Sequence, residues 1–421
     1  MKFWIGMDDT DSPNGMCTTY LAVLAIEELQ KAGVEIIGFP RLIRLNPTIP
    51  YKTRGNGAVS FLVDTPNLEI VMEIMDFIIQ EYSELDHENT NPGVVFVKND
   101  DDILNILSRF ALRAVRDLIS MDEALFMIGR FMIPHLAYKR GRGLIGALAA
   151  VGFEGEDFTY ELLAYRKPER FGREREIDEE SFFRADELYY PKTWDTVDWH
   201  NKAVVSVPNG PDPVLYGIRG SDFYSINKVS EILKTEEVDK RMMFITNQST
   251  DMHLIPEEEA KELGNFHSYI LSGFVVENPT VIRGGHVFFH ITTKFGMLKC
   301  AAFEPTKQFR DVILKLVKGD HIRVFGSIKK DTMNLEKLEI ISLVRKKESN
   351  PRCPVCGKRM ESAGRNQPFR CRRCKTVAKG KVVEEMEREI EEGFYEVPPV
   401  ARRHLSKPLV RMNVPKKHIF R

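Results

Sequence analysis

Three aspartates follow a short apolar segment near the start of the chain. Residues 3–7 are typical of a buried strand, and Asp8, Asp9 and Asp11 come directly after it. Carboxylates at a strand end, ahead of a helix whose free N–H groups attract phosphate, are typical of sites that bind a nucleotide through Mg²⁺. We therefore predict that these aspartates hold magnesium beside a nucleotide. The alternative is an acidic turn whose side chains only cap the helix.

A glycine-rich basic segment precedes an Ala/Leu-rich helix later in the chain. It contains Lys139, Arg140, Gly141, Arg142 and Gly143. Glycine lets the backbone approach a ligand closely, and the basic side chains supply positive charge. The segment predicts a phosphate cradle which, with the aspartates, would hold a triphosphate. The alternative is a helix start with a solvated basic face.

Four cysteines occur as two Cys-x-x-Cys pairs. Cys353 and Cys356 are separated from Cys371 and Cys374 by 14 residues. This spacing predicts a zinc ribbon, because tetrahedral Zn²⁺ takes four thiolates and each tight turn supplies two of them. A site with four thiolates leaves no open coordination position, so we expect the zinc to be structural.

Charge is distributed unevenly along the chain. The formal net charge is −1, yet residues 345–421 contain 21 Lys and Arg against 9 Asp and Glu. This excess predicts a region that binds a polyanion, with Arg365 and Phe369 suited to a phosphate backbone and a stacked base. The chain shows neither a membrane-spanning apolar segment nor a cleavable signal pattern. We expect a soluble cytoplasmic protein, where cysteines bind metal rather than form disulfides.

Two further features leave alternatives open. The loop at residues 46–57 contains Lys52 and Arg54, and its length suggests either a functional loop or a mobile surface connection. His200 and His253 follow predicted strands and are candidates either for acid–base groups or for structural hydrogen bonding.

Hydrophobic periodicity predicts a multidomain fold of α/β and α+β type. Five strands with a helix before the fourth predict an OB-fold barrel that binds nucleic acid. Residues 384–392 are predicted to form an acidic helix, followed by a basic tail that is disordered until RNA binds. The expected divisions are an ATP-binding catalytic domain at 1–60 and 135–195, an α+β region at 61–134 and 196–266, the barrel at 267–344, the zinc ribbon at 345–381, and the helix and tail at 382–421.

Several motifs, taken in order, resemble one family over nearly the whole chain. They are Asp8-Asp9-Thr10-Asp11 with Cys17-Thr18-Thr19, the loop at 45–57, residues 141–147, Thr246-Asn247-Gln248, and the barrel with its zinc ribbon. The set resembles the TiaS family, the archaeal 2-agmatinylcytidine synthetases that act on the minor isoleucine tRNA. The resemblance implies a kinase-like domain interrupted by a ferredoxin-like domain, and a catalytic Thr18 that is autophosphorylated.

The resemblance also implies a reaction. An ATP-dependent ligase would conjugate agmatine to the C2 carbon of the wobble cytidine in the isoleucine tRNA with a CAU anticodon, so that the tRNA decodes AUA. The C2 oxygen is a poor leaving group, so ATP would first phosphorylate the base. No membrane and no obligate protein partner are implied. The alternatives are an RNA-binding protein built on the barrel and ribbon, or an ATP-dependent kinase or ligase of a small molecule.

Overall fold

The computed structural model describes residues 1–52, 55–362, 364 and 367–421. Arg54 and Arg365, which the sequence singled out, lie outside the described residues. The helices of the described residues are α1 (Thr18–Lys31), α2 (Leu68–Tyr82), α3 (Asp101–Arg116), α4 (Met121–Phe131), α5 (Gly143–Val151), α6 (Glu179–Tyr189), α7 (Phe223–Ile232) and α8 (Phe309–Leu314). None of these helices is both long enough and apolar enough to cross a bilayer.

The strands divide between a large sheet, a barrel and several small ribbons. They are β1 (Lys2–Asp8), β2 (Glu35–Arg44), β3 (Gly57–Asp64), β4 (Gly93–Lys98), β5 (His135–Ala137), β6 (Thr159–Arg166), β7 (Thr193–Trp194), β8 (Val197–Asp198), β9 (Ala203–Val204), β10 (Val214–Gly220), β11 (Val238–Thr246), β12 (Leu254–Pro256), β13 (Ser268–Val275), β14 (Thr280–Val281), β15 (Val287–Thr293), β16 (Gly296–Ala302), β17 (His321–Lys329), β18 (Thr332–Ser342), β19 (Lys346–Ser349), β20 (Glu361–Ser362), β21 (Phe369–Arg370), β22 (Val377–Ala378), β23 (Val382–Glu385), β24 (Gly393–Glu396) and β25 (Lys417–His418).

One continuous sheet runs through the first 250 residues in the order β5-β4-β1-β3-β2-β11-β6-β10-β7. Strand β1 pairs antiparallel with both β3 and β4, and β2 joins β11 in parallel. Helix α5 packs on β1 so closely that a Cβ on Gly6 would lie 2.2 Å from the carbonyl oxygen of Ala147. Strand β4, from the segment expected to form a separate α+β region, thus neighbours β1 of the expected catalytic domain. The division of the sheet into domains stays a prediction.

The five-stranded barrel predicted from the sequence is confirmed. Strands β13, β15, β16, β18 and β17 close on one another in that order, and α8 precedes the fourth of them along the chain. Alternating side chains such as Leu271, Phe289, Val324 and Leu338 fill its core. Strand β24 extends the barrel sheet along β18.

The prediction of an acidic helix at residues 384–392 is wrong. Residues 382–385 form β23, which pairs antiparallel with β19. Val382 and Val383 favour a strand because their β-branched side chains fit a pleated surface, and β19 offers a free edge.

The prediction of a disordered basic tail is also wrong. Residues 397–421, the C-terminal segment, pack between the large sheet and the barrel with Leu405 and Leu409 fully buried. Its cations pair with acids that lie far away in sequence. The pairs are Arg402 with Asp195, Arg403 with Glu336, Lys407 and Arg411 with Asp157, and Arg421 with Asp186. Local composition could not reveal these partners.

Candidate active site

The predicted aspartates and the predicted threonine meet at one cavity of about 550 Å³. Asp8 is the last residue of β1, and Asp9 continues the chain with a positive φ of 61°. Thr18 is the first residue of α1, and the thiol of Cys17 caps that helix by accepting the N–H of Tyr20 at 3.4 Å. A strand end and a helix N-terminus therefore face the same space, as the sequence predicted.

Two glycines of α5 make room for Asp8. A Cβ on Gly143 would lie 2.4 Å from the Asp8 carbonyl oxygen, and a Cβ on Gly146 would lie 1.9 Å from its Oδ2 atom. Any side chain at either position would overlap Asp8. Gly143, which the sequence assigned to a phosphate cradle, thus brings the start of α5 against the first aspartate together with Gly146.

The carboxylates share a poorly solvated space. Burial raises the pKa of Asp8 well above its usual range, and the neighbouring charges of Asp9 and Asp11 raise it further. Burial also raises the pKa of Asp9, and Arg142 opposes this with an Nη2 atom 3.0 Å from Oδ2. Neighbouring carboxylates are ionised together when a divalent cation neutralises them, and one or two of them suffice to hold Mg²⁺ beside phosphate oxygens.

The structure separates the predicted phosphate-binding cations. Arg142 lies in the cavity lining beside the aspartates, whereas Lys139 and Arg140 are exposed outside that lining. The Lys139 ammonium donates to the carbonyl oxygens of Leu85 at 3.1 Å and of His87, so it ties down the neighbouring loop. Lys52, from the loop at residues 46–57, does line the cavity.

A second part of the lining consists of residues that the sequence analysis missed. Arg219 donates from Nε to Glu161 Oε1 at 2.9 Å and from Nη2 to His404 Nδ1 at 2.7 Å, and Arg44 lies beside them. Glu161 sits in the middle of the largely apolar strand β6. That pattern was a usable signal, because a carboxylate is buried in a strand only with partners. His404 had no such signal, because no feature of the sequence around it predicts that the C-terminal segment reaches the cavity.

The two candidate histidines do not line the cavity. His253 is buried, with Nε2 3.0 Å from Glu336 Oε2 in the barrel, and therefore joins the sheet to the barrel. His200 is exposed, and its backbone N–H donates to the Arg421 carbonyl at 3.1 Å. These positions favour the structural alternative for both.

The four cysteines converge as the sequence predicted. Their Sγ atoms all lie within 4.8 Å of one another, and those of Cys356 and Cys371 are 3.6 Å apart. Two Zn–S bonds of about 2.3 Å at a tetrahedral angle separate the sulfurs by about 3.8 Å, so the set fits Zn²⁺. No other group of three or more His, Cys, Asp or Glu side chains among the described residues brings its potential ligand atoms within 4.8 Å of one another.

Three family models match the chain. The TiaS TCKD domain matches residues 4–65, the TiaS FLD domain residues 141–253, and the TiaS C-terminal zinc ribbon domain residues 350–390. The first contains the aspartates and Thr18, the second contains Arg142, Glu161 and Arg219, and the third contains all four cysteines.

Curated relatives match over all or nearly all of their length. The isoleucine-tRNA 2-agmatinylcytidine synthetase TiaS from Archaeoglobus fulgidus is 61% identical and covers 100% of both chains. The protein of the same name from Pyrococcus horikoshii is 44% identical and covers 97% of each.

Solved structures agree with these relatives. A complex of TiaS with its isoleucine tRNA and ATP superposes with a TM-score of 0.94 at 60% identity. A complex of TiaS with the same tRNA, AMPCPP and agmatine superposes with a TM-score of 0.91 at 58% identity. Both cover 100% of this chain and of their own.

Proposed function

This chain belongs to the TiaS family of isoleucine-tRNA 2-agmatinylcytidine synthetases, and we propose that the cavity between Asp8 and His404 is its active site. The protein is an ATP-dependent tRNA-modifying ligase that conjugates agmatine to the wobble cytidine of the minor isoleucine tRNA. The observation that carries the assignment is the convergence of Asp8, Asp9, Asp11, Thr18 and Arg142 on one cavity. ATP, agmatine and the minor isoleucine tRNA are its substrates.

The chemistry explains the acidic end of the cavity. An amine displaces the C2 oxygen of cytidine only after that oxygen has become a good leaving group, and phosphorylation by ATP achieves this. Phosphoryl transfer needs in-line positioning and neutralised charge. Mg²⁺ held by Asp8, Asp9 and Asp11 would supply part of that neutralisation, through one or two carboxylates and the phosphate oxygens. Arg142, fixed by Asp9, supplies a cation from the protein itself.

Thr18 is proposed to accept a phosphoryl group. Its hydroxyl receives a hydrogen bond from Thr10 Oγ1 at 3.0 Å and lies at the N-terminus of α1, which favours added negative charge. Because that hydrogen bond leaves the Thr18 hydroxyl proton for another acceptor, the oxygen can serve as a nucleophile once a base removes the proton.

Other assignments rest on the family and complete the proposal. We propose a kinase-like domain with an inserted ferredoxin-like domain for the large sheet, Zn²⁺ in the ribbon, and RNA contacts from the barrel and the basic ribbon surface. The cytoplasmic location and the phosphate contacts of Lys139, Arg140, Gly141 and Gly143 stay predictions of the sequence. Lys139→Ala tests the predicted phosphate contact of Lys139. A loss of ATP affinity in this variant would support that contact.

The test replaces each carboxylate separately. Asp8→Ala, Asp9→Ala and Asp11→Ala should abolish the mass gain of agmatine on the wobble nucleotide, measured by mass spectrometry after incubation with ATP, agmatine and tRNA. Affinity for tRNA should stay near normal, because these side chains serve the metal and the nucleotide. Asp239→Ala, an exposed carboxylate on β11, is the matched control. Normal modification by all three variants would refute the site. Turnover of ATP without tRNA, with no mass gain, would favour a small-molecule substrate.

A further inference from the structure

The part of the cavity formed by Arg44, Arg219 and His404, here called the basic wall, has no role in the metal-binding end described above. His404 comes from the C-terminal segment, whose backbone is fixed against the large sheet. Ser249 donates its N–H to the His404 carbonyl at 2.7 Å, and Asp251 donates to that of Leu405 at 2.8 Å. The C-terminal segment therefore lines the same cavity as the aspartates near the start of the chain.

The hydrogen bond from Arg219 determines which nitrogen of His404 carries the proton. Nδ1 accepts the Arg219 N–H at 2.7 Å, so the proton of the neutral ring is on Nε2. Burial, together with the charges of Arg44 and Arg219, holds the pKa of His404 well below its usual range and keeps the ring neutral. The Nε2 atom lies near Gly55, which also lines the cavity, and makes no hydrogen bond to another described residue. His404 thus presents a donor.

Arg44 presents a second donor. The side chain of Asn247 fixes its backbone by accepting the Arg44 N–H at 2.8 Å and donating to the Arg44 carbonyl at 2.9 Å. Its guanidinium packs so tightly on the loop that a Cβ on Gly57 would lie 3.0 Å from Nη1. The Nε atom is buried and has no hydrogen-bond partner among the described residues. A buried N–H without a partner costs on the order of 1–3 kcal/mol, so the protein leaves this guanidinium incompletely hydrogen-bonded.

The positive charge of the basic wall favours an anionic ligand. Glu161 is the acid beside the two guanidiniums, and it is already bound to Arg219 at 2.9 Å and to Gln248. The wall therefore keeps a positive charge and donors that point to an anionic oxygen. Guanidinium groups suit phosphate because their planar donors match its oxygens.

We propose that Arg44 and His404 form a phosphate-binding subsite, with Arg219 as the residue that positions His404. The phosphate belongs either to ATP or to the tRNA nucleotide that enters the cavity, and this inference rests on the function proposed above. In either case the C-terminal segment contributes a binding residue to the reaction.

The experiment measures two affinities separately on the full chain. Arg44→Gln and His404→Ala are titrated with AMPCPP in the absence of tRNA, and with the minor isoleucine tRNA in the absence of nucleotide. We expect at least a tenfold loss in one titration. A loss with AMPCPP assigns the subsite to ATP, and a loss with tRNA assigns it to an RNA phosphate. Affinities within twofold of the wild type in both titrations would overturn the proposal.

Two further variants separate binding from folding and from the function itself. His404→Gln keeps an N–H near the position of Nε2, so it should retain more affinity than His404→Ala; equal losses would overturn the donor role. Arg130→Gln removes an exposed guanidinium from α4 and should bind both ligands normally. If the wild type and Arg130→Gln do not add agmatine to tRNA, the proposed function fails, whereas the titrations still report on the subsite.

Discussion

Gly146 gives the sharpest test of the acidic end of the cavity. A methyl group at this position of α5 would lie 1.9 Å from Asp8 Oδ2 and 3.0 Å from its Cβ. An ordinary contact between carbon and oxygen needs about 3.3 Å, so the carboxylate must move by roughly 1.4 Å. The backbone of Asp8 is held in place, because Asp8 pairs with Gly93 of β4 and the preceding Met7 pairs with Val59 of β3. The side chain therefore rotates away from its present position.

We expect Gly146→Ala to slow modification by about 100-fold, since a displacement of about 1 Å at a reacting centre costs that much. The overall fold should survive, because the overlap is with the end of a side chain and alanine favours a helix by about 1 kcal/mol over glycine. The assay is single-turnover incorporation of labelled agmatine into the minor isoleucine tRNA, with the melting temperature recorded for each variant.

Two other glycines serve as controls. Gly129 lies in α4, and a Cβ there meets no atom within 4 Å, so Gly129→Ala should keep full activity and melt at the same or a higher temperature. Gly6→Ala would overlap the backbone oxygen of Ala147 and should lower the melting temperature markedly. Full activity in a folded Gly146→Ala protein would show that the position of the Asp8 carboxylate does not matter, and would refute the reasoning.

Three other predictions concern different parts of the molecule. Thr18→Ala should abolish both modification and the phosphopeptide seen after ATP treatment; an active protein without phosphate on Thr18 would leave the residue only its hydrogen bond from Thr10, worth about 1 kcal/mol. Cys353→Ser should release zinc, measured by metal analysis, and abolish modification while the large sheet keeps its melting transition, because small ribbons fold only with metal; unchanged tRNA affinity and rate would make the ribbon dispensable. Burial raises the pKa of Asp157, but Lys407 and Arg411 more than offset this and lower it overall, so its ion pairs stabilise the fold above the ordinary Asp pKa of about 4 and lose effect as the pH falls below it. Asp157→Asn should therefore reduce the free energy of unfolding in urea at pH 7 but progressively less below about pH 4; a difference independent of pH would argue against this linkage.

Much of the site was predictable because its signals are local. The strand that ends at Asp8, the helix that begins at Thr18 and the paired cysteines each occupy a short stretch whose periodicity or spacing indicates the local structure. The barrel was predictable for the same reason, since its strands and helix follow one another along the chain. The sequence alone therefore determined the acidic strand end, the cluster of four cysteines, the barrel and the family to which they belong.

The tertiary structure decided which charges face the cavity. Lys139 and Arg142 lie three residues apart in one basic motif, yet one binds the carbonyls of a loop and the other binds Asp9. The C-terminal segment looked disordered by composition, yet its cations find acids from residues 157–336 and its His404 enters the cavity. Composition reports how much charge a segment carries. The partner of each charge is far away in sequence, and the two meet only when the sheet and the barrel pack together.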